Sequence, residues 1–405
     1  MGVVPRATER GSGRAALIAL IAAQVVASTG AGLALTVASV TVLELSGSER
    51  AAGLAQTAIV VGASILTLPV SRLAARAGRR ASLAAAYAAA AVGALVGALG
   101  VSASSWGLVL VGLAFVGGGT VAGLAARFAA ADTASRPKDV ALAIALVLWA
   151  STVGSLVGPN LVSLTGLGTS TGAFLLLAAL YAGAGGIVLL AVPRTLGRSA
   201  VVGGRSSRAG ALRLLAARPR ALMGVGISAA VHIAMVALMA MAPVHLHHQM
   251  ASDSMIGAAM SGHLAAMYAL SPVVGLAVAR WGARSSAVGS LALVLLAAVV
   301  LAVSASEAGW AFGAGLTLLG FGWSMGMVAG SSLIVGALEP GERAGVQGAT
   351  DLVINVGGGA ASIVAGLVVA GAGYEALAVA FAIAVGLAAL LVALAPATTW
   401  RGADV

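Results

Sequence analysis

From residue 15 onward the chain is a succession of apolar runs, each about twenty residues long, separated by short polar breaks. A helix rising about 1.5 Å per residue needs a run of that length to cross the hydrocarbon core of a bilayer. Such runs fall near 15–38, 51–74, 81–100, 105–129, 140–164 and 172–193. After a basic stretch, six more fall near 221–244, 254–280, 285–304, 309–336, 344–371 and 374–395. The expectation is an all-α integral membrane protein of twelve transmembrane helices in two six-helix halves.

Composition agrees with that reading. The chain is 60% hydrophobic and 8% charged, against roughly 25% charged residues in soluble domains. Its 56 glycines have no period and sit inside the apolar runs, as expected where helices approach backbone to backbone in lipid. There is no cysteine, which excludes disulfides, thiolate metal sites and a catalytic thiol. The opening residues, MGVVPRATERGSGR, are basic and lead into apolar sequence without a small-residue cleavage site, so residues 1–14 are expected to be a retained cytoplasmic tail.

Charge distribution sets the expected orientation. With both termini in the cytoplasm, Arg50 is the only one of 22 Lys and Arg residues in an outer loop, which satisfies the positive-inside rule. The domain expectation is therefore an N-terminal bundle at 15–193, a basic cytoplasmic linker at 194–220, a C-terminal bundle at 221–395 and a cytoplasmic tail at 396–405. The net charge of +10 is a topology signal here and implies no nucleic-acid partner. Glycine-rich runs such as AGAGGIV lie within spans and match helix packing, so no nucleotide motif, cofactor or enzymatic activity is expected.

The two halves repeat. SRLAARAGRR at 71–80 and GLAVARWGAR at 275–284 are 204 residues apart, and each closes the second helix of its half. This pattern resembles the loop signature of the major facilitator superfamily, with Ala75 and Ala279 standing where that family carries aspartate and Ser71 replacing its first glycine. The resemblance implies two bundles around a midplane site reached alternately from each side. It also implies that Arg76, Gly78, Arg79 and Arg80 belong to an inner gate whose charge network is altered by the missing carboxylate. GSLVGP at 154–159, followed by Asn160, resembles a motif of proton-coupled exporters in the same superfamily; a simple kink and packing point is the alternative.

Five histidines and seven of the eleven methionines lie between residues 232 and 267. Methionine alone is often a gap filler, but this concentration points to ion chemistry. Met235 and Met239 are four apart, as are His263 and Met267, so each pair shares a helix face. His232 and Met260 extend those faces by a turn. Taking outer helix ends near 245 and 254, Met239 lies about 9 Å deep, His263 about 13 Å, Met235 about 15 Å, and Met267 and His232 about 20 Å. Neutral thioethers select Cu(I) over hard ions, while imidazole suits copper, zinc and nickel. The HLHHQM stretch, with His245, His247, His248 and Asp253, is expected to be an outward loop that collects the ion, or only a polar helix end.

MxxxM on the seventh helix followed by HxxxM on the eighth resembles the CcoA-like copper importers, a bacterial branch of that superfamily which supplies copper for haem-copper cytochrome oxidases. The resemblance implies that Met235, Met239, His263 and Met267 bind copper as transported substrate in a multi-pass protein of the bacterial inner membrane. A periplasmic copper donor and a cytoplasmic acceptor follow from that implication, with the lipid bilayer as surroundings and a monomer as the working unit. Asp351 is the one acid placed inside a span, with Gln347 and Asn355 on its face, and an inner-gate role pairing with Arg76 or Arg127 is favoured over proton coupling. Gln24 is expected to line the cavity or bond a neighbouring helix, and Met325 and Met327 to be packing, with Met325 or Trp323 as lesser candidates for the cavity. The competing functions are a proton-coupled exporter of drugs or metals and a non-transporting metal receptor.

Overall fold

The computed structural model of the chain describes residues 7–158, 160–161, 171–197, 208–250, 253–305, 309–339 and 342–396. Among these residues all regular structure is helical. The helices are α1 (Ala7–Ser46), α2 (Glu49–Ala77), α3 (Arg79–Ser102), α4 (Trp106–Ala131), α5 (Val140–Val157) and α6 (Thr171–Ala191). They continue with α7 (Arg208–Ala217), α8 (Pro219–His248), α9 (Asp253–Leu264), α10 (Ser271–Val303), α11 (Trp310–Ala337) and α12 (Arg343–Leu394). A π-helical turn, Ala265–Ala269, joins α9 to α10.

Among the described residues, ten helices are long and apolar enough to cross a membrane. Two of these bend sharply, α10 at Gly282 (φ 83°) and α12 at Gly373 (φ 82°). Counting α9 with the chain up to Gly282 as one passage, and dividing α12 at Gly373, the described residues make twelve passages. Gly78, between α2 and α3, has the same backbone (φ 85°, ψ 177°). That region is open essentially to glycine alone, which is why the chain reverses there without a loop. Large apolar side chains face outward along the helices, Leu190 at 90% and Leu391 at 72% exposure among them, as a surface solvated by lipid requires.

The repeat seen in the sequence is also a repeat of elements. α2 starts at Glu49 and α9 at Asp253; α4 starts at Trp106 and α11 at Trp310; both pairs are 204 residues apart. By contacts the chain forms two compact units. The first comprises residues 1–136, 150–212 and 339–355, and the second residues 137–149, 213–338 and 356–405. In the first unit, α2 and α4 approach so closely that a Cβ on Gly62 would lie 1.7 Å from the Ala114 carbonyl oxygen. In the second unit α11 is the central element, buried along nearly its whole length against α8, α9 and α10.

Several expected boundaries move. Helix α1 begins at Ala7, inside the expected tail, and a short helix, α7, lies in the expected linker. α8 does not stop before HLHHQ: it passes through Pro243, which forfeits one backbone donor, and continues to His248. The outward-loop reading of His245, His247 and His248 is therefore corrected to a helix end.

Candidate functional site

The His and Met residues of the second unit are organised by α11. α8 runs antiparallel to it, with His245 against Phe312 (ring centroids 5.1 Å apart), His232 against Trp323, and Val231 where a Cβ on Gly326 would touch it at 2.7 Å. α9 and α10 run parallel to α11. The His263 Nδ1 lies 2.7 Å from the Leu316 carbonyl oxygen, and the Ser271 and Ser324 hydroxyls are 3.0 Å apart. Counting along these registers puts Met235 and Met267 level with residues 320–322 of α11. Met239 and His263 are level with residues 316–318, one turn away. Met235 and Met267 are buried and Met239 is half-buried.

His263 is fully buried. Its Nδ1–H donates to the Leu316 carbonyl, which leaves Nε2 as the bare lone pair of the neutral ring. That nitrogen has no hydrogen-bond partner and is sealed from solvent. A backbone carbonyl holding one nitrogen so that the other is free is the usual support of a metal-ligating histidine. Gly320 makes the arrangement possible: a Cβ there would lie 2.4 Å from the His263 carbonyl oxygen. The π turn holds Met267, one turn beyond His263 on the same side of the passage.

The additional candidates fare differently. His232 accepts the Trp323 indole N–H at Nδ1 (3.1 Å), so its neutral ring carries its proton on Nε2 and has no lone pair left for a metal. His232 is therefore corrected from possible ligand to hydrogen-bonded partner of Trp323, whose ring in turn meets Tyr268 edge-on at 5.7 Å. His245 is buried in a cluster of three rings, stacked on Tyr374 at 4.7 Å and 5.1 Å from Phe312, which itself lies 5.1 Å from Tyr374. His248 is exposed and Met260 half-buried. The side chains of His247 and Asp253 lie outside the described residues. No group of three or more His, Asp or Glu side chains forms a metal cluster among the described residues.

A second constellation occupies one end of the first unit. Asp351 pairs with Arg127 at 2.9 Å, both side chains being 2% exposed or less. Gln347, one turn away, donates to Asp351 at 3.4 Å and accepts from Arg79. Arg79 Nε also holds Asp132 at 2.7 Å, and the other Asp132 oxygen takes Arg343 at 2.9 Å. Asn355 donates to the Asp351 carbonyl oxygen at 2.8 Å. Three arginines and two aspartates from α3, α4, the turn after α4 and α12 thus form one chain of charge. Arg127 rather than Arg76 is the partner of Asp351; Arg76 is exposed and Arg80 half-buried. Met325 and Met327 are buried.

Sequence reasoning missed Asp132 and Arg343. Arg343 was within reach, since residues 343, 347, 351 and 355 are each four apart on one helix face. Asp132 carries no local signal, because its partners are 53 and 211 residues away. Elsewhere in this unit Gln24 donates to Ser151 on α5 at 2.9 Å. Gly154 and Gly158 of GSLVGP pack on α1, where a Cβ at Gly154 would overlap Ser28; Pro159 lies outside the described residues.

Comparison with known proteins places this architecture. The sequence model of the Major Facilitator Superfamily matches residues 20–251 and again 225–401. The chain is 30% identical over 364 residues to the MFS-type transporter YdeG of Bacillus subtilis, covering 86% of this chain and 84% of the relative. It is 25% identical over 378 residues to the riboflavin transporter RfnT of Brucella anthropi, covering 91% and 93%. The crystal structure of the human organic anion transporter MFSD10 superposes with a TM-score of 0.77 at 15% identity, covering 94% of this chain and 99% of that one. With twelve helical passages, a repeat of 204 residues and a family match across both halves, the chain belongs to the Major Facilitator Superfamily and is a multi-pass membrane transporter of the secondary type.

Proposed function

We propose that this transporter imports copper across the bacterial inner membrane by alternating access, with both termini in the cytoplasm, and supplies haem-copper oxidase assembly through a periplasmic donor and a cytoplasmic acceptor. The observation that carries the reading is the common register on α11: Met235 is level with Met267, and Met239 with the carbonyl-held His263. Three thioethers and one imidazole, with no carboxylate among them, favour a soft monovalent ion over zinc or magnesium. Met235, Met239, His263 and Met267 would bind copper as substrate. The Arg79, Asp132, Arg343 and Arg127, Asp351 pairs would hold the inner gate shut between turnovers.

The test is total cell copper with and without the protein, together with a Met235→Leu/Met239→Leu variant produced at normal membrane levels. Import raises cell copper and the variant abolishes the rise. A fall in cell copper on production would indicate export, and uptake unchanged in the variant would sink the assignment.

A second reading, transport of a planar organic solute, is favoured by the His232, Trp323 and Tyr268 cluster and by the similarity to a riboflavin transporter. It predicts flux that responds to Trp323→Ala and ignores the methionine changes.

A further inference from the structure

The chain leaving α6 is tied back onto the charged network of the first unit. Pro193, which has no backbone donor, follows the last turn of the helix, and the Leu196 N–H returns to the Pro193 carbonyl at 3.2 Å to close a turn. The Leu196 carbonyl then accepts the backbone N–H of Arg79 at 3.1 Å. Arg79 is the first residue of α3, so that N–H has no acceptor within its own helix. The segment 193–197 is thus fixed to the backbone of the residue whose side chain holds Asp132.

Gly197 brings the segment onto the ion pair itself. Its φ of 67° lies in the left-handed region that glycine enters freely. A Cβ there would lie 2.6 Å from Arg79 Cγ, 3.1 Å from Arg79 Nε and 3.1 Å from Asp132 Oδ2, so one residue without a side chain lies against both members of the pair. Gly47, with a similar φ of 65°, has nothing within 4 Å of such a Cβ. Gly197 backs the Arg79 stem along the course that brings Nε to Asp132 at 2.7 Å and the far end of the guanidinium to Gln347. The segment and Asp132, with Gly13 and Thr133, also line a cavity of about 340 Å³. Lifting the segment opens the pair, whose side chains are 3% and 7% exposed, to water in that cavity, where an ion pair contributes little.

We propose that residues 193–197 form a strap, with Gly197 as a positioning residue, that holds Arg79 against Asp132 and so sets how readily the inner gate opens. This rests on the reading of Arg79, Asp132 and Arg343 as part of that gate, and it makes the start of the basic stretch after α6 a component of it. It does not depend on which solute is carried.

The chain has no cysteine, so Ser71→Cys supplies a single thiol for the test. Ser71 on α2 is buried where a Cβ on Gly348 of α12 would overlap its hydroxyl, so a thiol there meets a soluble maleimide only when α12 moves away. In the purified full-length protein, well below its melting temperature, Gly197→Val should speed labelling about fivefold, the effect of losing one backbone hydrogen bond, and Pro193→Gly should speed it by less. Asp132→Asn should speed it too, and Gly197→Val added to Asp132→Asn should bring no further gain, because the strap acts through the pair. Gly47→Val, which introduces backbone strain away from the pair, should leave the rate unchanged. If Asp132→Asn speeds labelling and neither strap variant does, the strap is wrong and the gate stands. If Asp132→Asn has no effect, the gate reading fails and the strap with it. Additive effects of Gly197→Val and Asp132→Asn, or faster labelling in Gly47→Val, would show a merely structural glycine and overturn the proposal. Should Gly197→Val yield no folded protein, Pro193→Gly carries the same comparisons.

Discussion

The Arg127–Asp351 pair gives the sharpest quantitative test of how the first unit is held together. The two charges are 2.9 Å apart and almost fully buried, so at an effective dielectric near 20 their gross attraction is about 6 kcal/mol. Most of that offsets the cost of removing both ions from water. Removing one partner therefore exposes the cost of burying the other: Arg127→Met takes from Asp351 its ion-pair partner and leaves the long Gln347 contact, and Asp351→Leu takes from Arg127 its carboxylate. Each single change should destabilise the protein by about 3–5 kcal/mol, while the double variant Arg127→Met/Asp351→Leu should fall between neutral and about 4 kcal/mol stabilising. Thermal melting of the four purified proteins closes the double-mutant cycle. If the double variant is as unstable as the two single variants summed, the pair does not compensate itself and the network has been misread.

Three further outcomes follow from other contacts. Asp132→Asn removes the charge shared by Arg79 and Arg343 and should cost about 3 kcal/mol, seen as a lower melting temperature that added salt does not restore. Gly373→Ala forces a side chain into a backbone that only glycine adopts freely and should cost roughly 1–3 kcal/mol, whereas Gly371→Ala, two residues earlier in regular helix with open space around it, should not lower stability. Tyr374→Phe deletes the 2.9 Å bond to the Leu238 carbonyl but keeps the stack on His245; melting should register a loss of about 0.5–1.5 kcal/mol.

The passages were legible because length and apolarity are read locally, and a span cannot be much shorter than the bilayer. What failed were judgements that depended on neighbours. Pro243 followed by HLHHQ has the composition of a helix end, yet α8 continues, and His245 in that turn packs into a three-ring cluster with Phe312 and Tyr374 that makes its burial favourable. The spacing of Met235 with Met239 and of His263 with Met267 assigns each pair to one helix face, but nothing in it shows the register that α11 gives the two helices. The π turn at 265–269 has no sequence signal: AAMYA fits an α-helix equally well, and the glycine that accommodates its passage, Gly320, is 51 residues away from its last residue. His232 was assigned on spacing alone, and spacing cannot reveal that an indole takes up the lone pair a metal would need.

The two copies of the loop signature separate what the fold requires from what the charge network requires. Gly78 and Gly282 occupy equivalent places and share the same glycine-only backbone, so the helix reversal is retained in both. The charges are retained only in part: Arg76 corresponds to Arg280 and Arg80 to Arg284. Arg79 corresponds to Ala283, Asp132 to Gly336 and Arg127 to Ser331, each 204 residues on. In the second copy the Arg220 guanidinium lies where a side chain on Gly336 would begin, 2.6 Å from its Cβ position. In the first copy Ala75 offers no charge in the loop, and Asp132 at the end of α4 supplies the anion that Arg79 and Arg343 share. The Asp132 carboxylate also engages α12 directly through Arg343. The network that joins Arg79, Asp132 and Arg343 thus carries its anion at the end of α4, outside the loop signature.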